Sequence, residues 1–401
     1  MFEDHKILGK KLDLFYIDEE IGKGLPIWLP KGAAIRKVLE SYIVDLEGKA
    51  GFQHVYSPHI AKINLYQKSG HLDSYKDAIY PSFGIDEEQY VLRPMNCPHH
   101  IQIYKHVPRS YRELPLRLAE LGSVYRYEPS GSLAGLIRVR GFVQNDAHIF
   151  CSENQVQDEI LSCVQMIAQV YKDFKIKDYV FRLSLRAKRG KYAGSQAMWN
   201  KAEGALRSAL DVFGHPYQSV PGEAAFYGPK LDVQLQDHSG KEFSASSVQL
   251  DFLLPQRFGL RYINSNGKIN KPVMIHRAPL GSLERFMAFL IEYYSGAFPL
   301  WLAPIQIKII PVSEHYDRYA KNQIKAFQEA GIRAEVCLEN GPLAGRVRDA
   351  ELQKIPVIGV VGKREENSGQ INLRFRNNPK QQSYSLDVAI QELQGMVSKK
   401  S

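Results

Sequence analysis

Apolar residues recur at Ile35, Val38, Leu39, Tyr42, Ile43 and Leu46, a spacing that gathers them on one helical face, and glycines at 48 and 51 end the run. The pattern predicts an amphipathic helix after Pro30, followed by an extended segment through Val55, Tyr56 and Pro58. Residues 62–80 mix polar and aromatic side chains and read as a short helix and loop. Residues 90–97 read as a strand with Arg93, Met95 and Cys97 on one side, and a short helix is predicted over 99–107. Residues 126–150, RYEPSGSLAGLIRVRGFVQNDAHIF, read as strand, turn and strand, the turn being rich in Pro, Ser and Gly. In the second of these strands Gln144, Asp146 and His148 fall on one face and Val143, Ala147 and Ile149 on the other. A half-exposed strand wetting its polar face satisfies that alternation as well as a reactive site does.

Ser152 with Gln155 three residues on is a capping-box signature, and Val156, Ile160, Val164, Ile167, Tyr171 and Phe174 form the stripe of the helix it opens. A strand at 179–185, a helix at 195–213 and alternating strands at 231–236 and 247–252 follow, the last placing Gln249 and Asp251 on one face. A strand at 273–276 then leads into Gly281 and a helix bearing Arg285. Hairpin-linked strands with helices between some of them predict an α+β domain, an antiparallel sheet with flanking helices. The segment 299–304 marks a boundary, beyond which the rhythm changes. Strands at 305–311, 332–338, 356–362 and 370–376 and helices at 316–330, 342–354 and 385–397 predict a mainly parallel sheet between helices. The expected division is therefore residues 1–300 and a smaller α/β domain over 304–401.

A chain of 401 residues exceeds what one core normally organises, in keeping with two domains. Lys and Arg number 52 against 43 Asp and Glu, a net charge of +9 that suits a polyanionic partner such as nucleic acid. No stretch approaches the roughly 20 apolar residues of a membrane helix, so no membrane partner is expected. The N-terminus, MFEDHKILGKKLDLF, is charged where a signal peptide is apolar, and a cytoplasmic location is expected. Cys97, Cys151, Cys163 and Cys337 lie far apart with no C-x-x-C pair, so neither a disulfide framework nor a zinc ribbon is suggested.

Phosphate-binding glycine loops are missing: no G-x-G-x-x-G follows a strand, and GPK at 228–230 lacks the P-loop spacing. The alternative is to hold phosphates with guanidinium groups, which are permanently charged and bond phosphate oxygens in pairs. Arg126, Arg138 and Arg285 are the candidates, and Arg285 in the first turn of its helix would add to the positive end of the helix dipole. Spacing alone does not separate these three from surface charges.

YRYE at 125–128 followed by a later arginine resembles motif 2 of the class II aminoacyl-tRNA synthetases, and GSLERF at 281–286 resembles their motif 3. The helix ending in GFQHVYSP, with Pro58, resembles motif 1, which in that class lies at a dimer interface. More narrowly, RPMNCP, EPSGSLAGLIRVRGFVQNDAHIF, AFYGPK, VQLDF and MIHRAPLGSLERF together resemble the threonyl-tRNA synthetases over nearly the whole chain. The residues from 304 onward are similar to that family's anticodon-binding domain.

The resemblance implies a ligase that activates L-threonine with ATP and transfers it to tRNA(Thr), assembled as a homodimer. It implies that Arg126 binds the ATP α-phosphate and the threonine carboxylate, and that Glu128 meets the adenine amino group. Arg138 and Arg285 would hold the β- and γ-phosphates with Mg²⁺, and Gln249 and Ser282 would line the adenylate pocket. Arg126 and Arg285 would be the catalytic groups. Cys97, His148 and His276 match the family's three zinc ligands, a set that their spacing does not reveal as a local metal motif. In the family threonine's amino group and hydroxyl bind that Zn²⁺, which excludes valine; Met95, Gln144, Asp146 and Tyr227 would complete the pocket.

Several departures accompany the resemblance. Ser244, Ala245, Ser246 and Ser247 stand where the family usually has Gln-Cys-Gly/Ala-Thr, and His99 stands where Gly is usual and reads as a solvent-facing helix residue. Asp349 stands where a Glu that helps read the anticodon is common. Family members carry further N-terminal domains, one of which hydrolyses serine mischarged onto tRNA, so mischarging with serine is expected of these residues by themselves. The four-residue departure motivates an alternative, a non-catalytic paralogue that binds RNA or threonine; acylation of a carrier other than tRNA is a third reading.

Overall fold

The computed structural model describes residues 3–187, 192–225, 227–236, 240–376 and 378–400, so Phe226 of the AFYGPK stretch lies outside it. By packing, the chain resolves into two units. One comprises Ile17–Pro26 and Glu40–Ala288; the other comprises the N-terminal residues to Tyr16, Ile27–Leu39 and the residues from Phe289 onward.

The first unit is built on an eight-stranded sheet. Its strands in chain order are β1 (Gln53–His54), β2 (Leu116–Tyr125), β3 (Gly141–Cys151), β4 (Val180–Leu185), β5 (Tyr217–Pro221), β6 (Lys230–Gln236), β7 (Glu242–Asp251) and β8 (Val273–Ala278). Their spatial order is β5-β4-β6-β7-β8-β3-β2-β1. The central pairings are antiparallel, as the hairpin pattern predicts. The two outermost strands instead pair parallel, β5 with β4 and β1 with β2. The central hairpin spans β2 and β3, and Arg126, Arg138 and Arg140 sit in the connection between them. Behind the sheet runs α3 (Val156–Asp173), after the shorter α2 (Cys97–Lys105). Its capping box forms as read from Ser152 and Gln155. Its predicted stripe is the buried face: Ile160, Val164, Ile167, Tyr171 and Phe174 are fully buried.

Gly281 precedes α4 (Leu283–Tyr293), with φ +59°. A Cβ there would meet the Ala245 carbonyl oxygen at 2.4 Å, so only glycine lets this helix start so close to β7.

In the second unit, β9 (Ile307–Pro311) is flanked in parallel by β10 (Ala334–Val336) and β11 (Val357–Val361). β12 (Gln370–Phe375) and β13 (Asn378–Ser385) then add antiparallel. The sheet is thus mixed, and β13, rich in Asn, Gln and Lys, has no apolar alternation to announce it. Its core gathers Ile307, Ile309, Phe327, Val357, Val361 and Leu373.

Candidate active site

Strand register brings together residues far apart in sequence. Gln249 pairs with His276 across β7 and β8, and His276 pairs with His148 across β8 and β3. Three polar side chains therefore occupy one row across three strands. The His148 and His276 rings lie 4.7 Å apart between centroids at 84°. Cys97 arrives differently from the sequence reading: the strand expected over 90–97 stops at Leu92, and Cys97 is the first residue of α2. Prolines account for the change. Pro94 cannot donate to a ladder, and Pro98 fits the first turn of a helix, where its missing N–H costs nothing.

Two adjoining cavities open here. The first, about 310 Å³, is lined by Arg126, Glu128, Arg138, Gln249, Ser282 and Arg285, with the wall Ser244–Ser247 beside them. The second, about 260 Å³, is lined by Met95, Cys97, Gln144, Asp146, Tyr227 and His276. Arg126, Gln144, Ser247 and Gln249 line both. His148 is fully buried and lines neither.

The first cavity concentrates fixed positive charge. Arg285 is anchored by its Nε donating to the Ile137 carbonyl at 3.1 Å, and Arg126 lies over the Phe142 ring at 5.1 Å. Burial lowers the Arg285 pKa, and the neighbouring Arg126 and Arg138 charges lower it further. Burial likewise lowers that of Arg126. Three guanidinium groups lining one cavity favour an anion between them. Glu128 is the local counter-charge, accepting from Arg138 Nη2 at 2.7 Å and Nε at 2.9 Å.

In and beside the second cavity, burial disfavours the charged forms of several groups. Burial drives the Cys97 thiol well up, His148 well down and the Tyr227 phenol well up, and it raises the Asp146 carboxyl to about 6. Tyr227 donates its hydroxyl to Gln249 Oε1, and Asp251 Oδ2 accepts from His276 Nε2 at 3.0 Å. One ligand atom from each of Cys97, His148 and His276 lies within 4.8 Å of the others. His148 Nε2 is buried without a hydrogen-bond partner, a cost that a bound cation would remove. A thiol with two imidazoles is a donor set suited to Zn²⁺, and three protein ligands leave a coordination position for substrate. The residues present fit the metal.

The sequence reading missed part of this wall. His71 and Tyr75 line the second cavity, and His71 Nε2 lies 3.7 Å from Cys97 Sγ. They sit in the stretch taken as helix and loop, where the only signal is a His and a Tyr following Gly70, which is left-handed at φ +82°. His99 is a correction: it is 8% exposed, not solvent-facing, and burial lowers its pKa to about 4. It packs against Tyr66 and lines neither cavity. At the Ser244–Ser247 departure, Gln234 on β6 donates its amide to Ser244 Oγ at 2.8 Å, and Ser246 Oγ lies 2.7 Å from the Tyr171 hydroxyl.

The model of the tRNA synthetase class II core domain (G, H, P, S and T) matches residues 82–294, and that of an anticodon-binding domain matches residues 306–396. A threonine–tRNA ligase of Anoxybacillus flavithermus is 52% identical over 99% of this chain, which covers 62% of that relative. The chain thus spans about three-fifths of the length of the curated relatives it matches. Among solved structures, one described as the RNA-binding domain of threonyl-tRNA synthetase from Cryptosporidium parvum Iowa II superposes with a TM-score of 0.93 at 36% identity, covering 98% of both chains. A putative threonyl-tRNA synthetase from Aeropyrum pernix superposes with a TM-score of 0.85 at 31% identity, covering 100% of this chain and 97% of that one.

Proposed function

The chain belongs to the class II tRNA synthetases, and on that premise we propose that it activates L-threonine with ATP to threonyl-adenylate and transfers threonine to tRNA(Thr). The observation that carries this reading is the pair of cavities meeting at Arg126: guanidinium groups on one side, a Cys, His, His donor set on the other.

In this reading a threonine carboxylate oxygen attacks the α-phosphorus, the new C–O–P bond forms, and the bond to the β-phosphate breaks as pyrophosphate leaves with Mg²⁺. Arg126, at the junction, holds the attacking carboxylate and the α-phosphate and stabilises charge gathering on phosphorus. Arg138 and Arg285 hold the departing phosphates, while Glu128, Gln249 and Ser282 orient the nucleotide. A ribose hydroxyl at the tRNA end then attacks the acyl carbon, and AMP leaves. Cys97, His148 and His276 would hold one Zn²⁺. When bound, it supplies a Lewis-acidic position that threonine's hydroxyl and amino group can fill and valine's methyl cannot. Met95, Gln144, Asp146 and Tyr227 shape the space around the side chain.

The division of labour falls at 299–304, with residues 1–300 catalytic and 304–401 reading the anticodon; the two family matches end at 294 and begin at 306. Assembly as a homodimer is part of the same proposal, supported by Tyr56, which beside Pro58 is 94% exposed. A cytoplasmic site of action is part of the same proposal; among the described residues no helix is long and apolar enough to cross a membrane. Threonine-dependent exchange of pyrophosphate into ATP tests the activation step, and charging of tRNA(Thr) tests the transfer. Exchange is expected with threonine and, because it keeps the hydroxyl, with serine. No exchange with either would leave the non-catalytic reading in its place.

A further inference from the structure

We infer that His100 is a positioning residue that fixes the tautomer of His148, leaving the His148 Nε2 lone pair bare toward Cys97 and His276; this rests on the reading of that trio as a metal centre.

A chain of hydrogen bonds starts at Glu120 on β2. Its carboxylate accepts from the Ser57 backbone N–H at 3.0 Å, the Ser57 hydroxyl at 2.8 Å, Arg93 Nη1 at 3.1 Å and Asn96 Nδ2 at 3.3 Å. A carboxylate ringed by four donors is an acceptor, so its 3.1 Å contact with His100 Nε2 is a donation from the ring. A neutral imidazole has a single N–H, so His100 Nδ1 carries a lone pair. That nitrogen lies 2.8 Å from His148 Nδ1, and His148 must therefore donate. Only Nε2 of His148 remains, and it is unprotonated.

The other end of the chain agrees. His148 Nε2 is buried with no hydrogen-bond partner, and Asp146 Oδ2 at 3.7 Å is beyond hydrogen-bond reach. A proton there would be a buried donor with nothing to receive it, which is costly. The competing arrangement, a doubly protonated His100 donating to both neighbours, would force that proton onto Nε2. A lone pair there is what a metal ligand requires, with the second ring nitrogen held by an outer partner.

The placement is economical. Helix α2 carries Cys97 at its first position and His100 three residues later, on the same face. His100 is fully buried, its ring stands at 88° to that of His148, and both its ring nitrogens are engaged in the two hydrogen bonds. One helix supplies both a member of the trio and the group that orients another member.

Zinc affinity measured by competition with a chromophoric chelator tests this in the full chain. His100→Phe removes both hydrogen bonds and is expected to weaken zinc by roughly 10- to 100-fold. His100→Gln presents a carbonyl oxygen and an amide N–H at the same one-three spacing and is expected to bind zinc within a few-fold of the parent. An unchanged affinity in His100→Phe overturns the inference, even if its melting temperature falls. Should His100→Phe not fold, ¹⁵N spectra of histidine-labelled, metal-free parent decide, the His148 signals being assigned by their loss in His148→Asn. A protonated Nδ1 with a bare Nε2 supports the relay, and the reverse overturns it. A parent chain that takes up no zinc overturns the metal reading instead, and the same spectra still judge the relay.

Discussion

The two cavities share a wall yet differ in what they offer a ligand. The first relies on guanidinium groups whose charge is permanent and whose orientation is set by carbonyl anchors such as Ile137 beneath Arg285. The second gathers a thiol, imidazoles, a carboxyl and a phenol, and burial disfavours the charged forms of Cys97, His148, Asp146 and Tyr227. Fixed positive charge is concentrated in the first, and the second adds a donor set that a cation can join. Phosphate recognition should therefore survive the removal of zinc when Mg²⁺ is kept in excess, whereas recognition of the amino acid should depend on zinc.

Three perturbations test that contrast. Arg126→Ala, at the junction, should have the largest effect, lowering threonine-dependent pyrophosphate exchange by roughly 10²- to 10³-fold. Its near-ultraviolet circular dichroism should match the parent, and near-normal exchange would put the phosphates elsewhere. Removal of zinc, with Mg²⁺ restored in excess, comes next. The preference for threonine over valine in exchange should shrink toward the roughly 10- to 200-fold that shape alone provides, while ATP affinity measured by equilibrium binding stays unchanged. An equal loss of ATP affinity would mean the pockets are not separable. Ser152→Ala, which breaks the capping box at the start of α3, should be smallest: about 1 kcal/mol less stable by chemical denaturation, with zinc content and exchange rate unaltered.

Legibility in the sequence followed how local each feature is. The α3 stripe, its cap and the alternation of Gln144, Asp146 and His148 are set by neighbours within a turn or a strand, and each was visible. The meeting of His148 with His276, residues 128 positions apart, depends on the register of β3 and β8. No spacing rule reports such a register, and only resemblance supplied the trio. His99 was misread because a helical residue's exposure depends on what packs against it, here Tyr66. His100 carried a local signal that went unused: C-x-x-H with a helical offset from Cys97. β13 escaped because an edge strand with polar residues on both faces has no periodicity to read.

The common wall has a thermodynamic consequence. Arg126, Gln144, Ser247 and Gln249 belong to both cavities, and Gln249 is already bonded to Tyr227 on the amino-acid side. Whatever factor a nucleotide imposes on the affinity for the amino acid through these four residues, the amino acid must impose on the nucleotide in return. One titration of each ligand, with and without the other, closes that cycle and measures the cooperativity stored in four side chains.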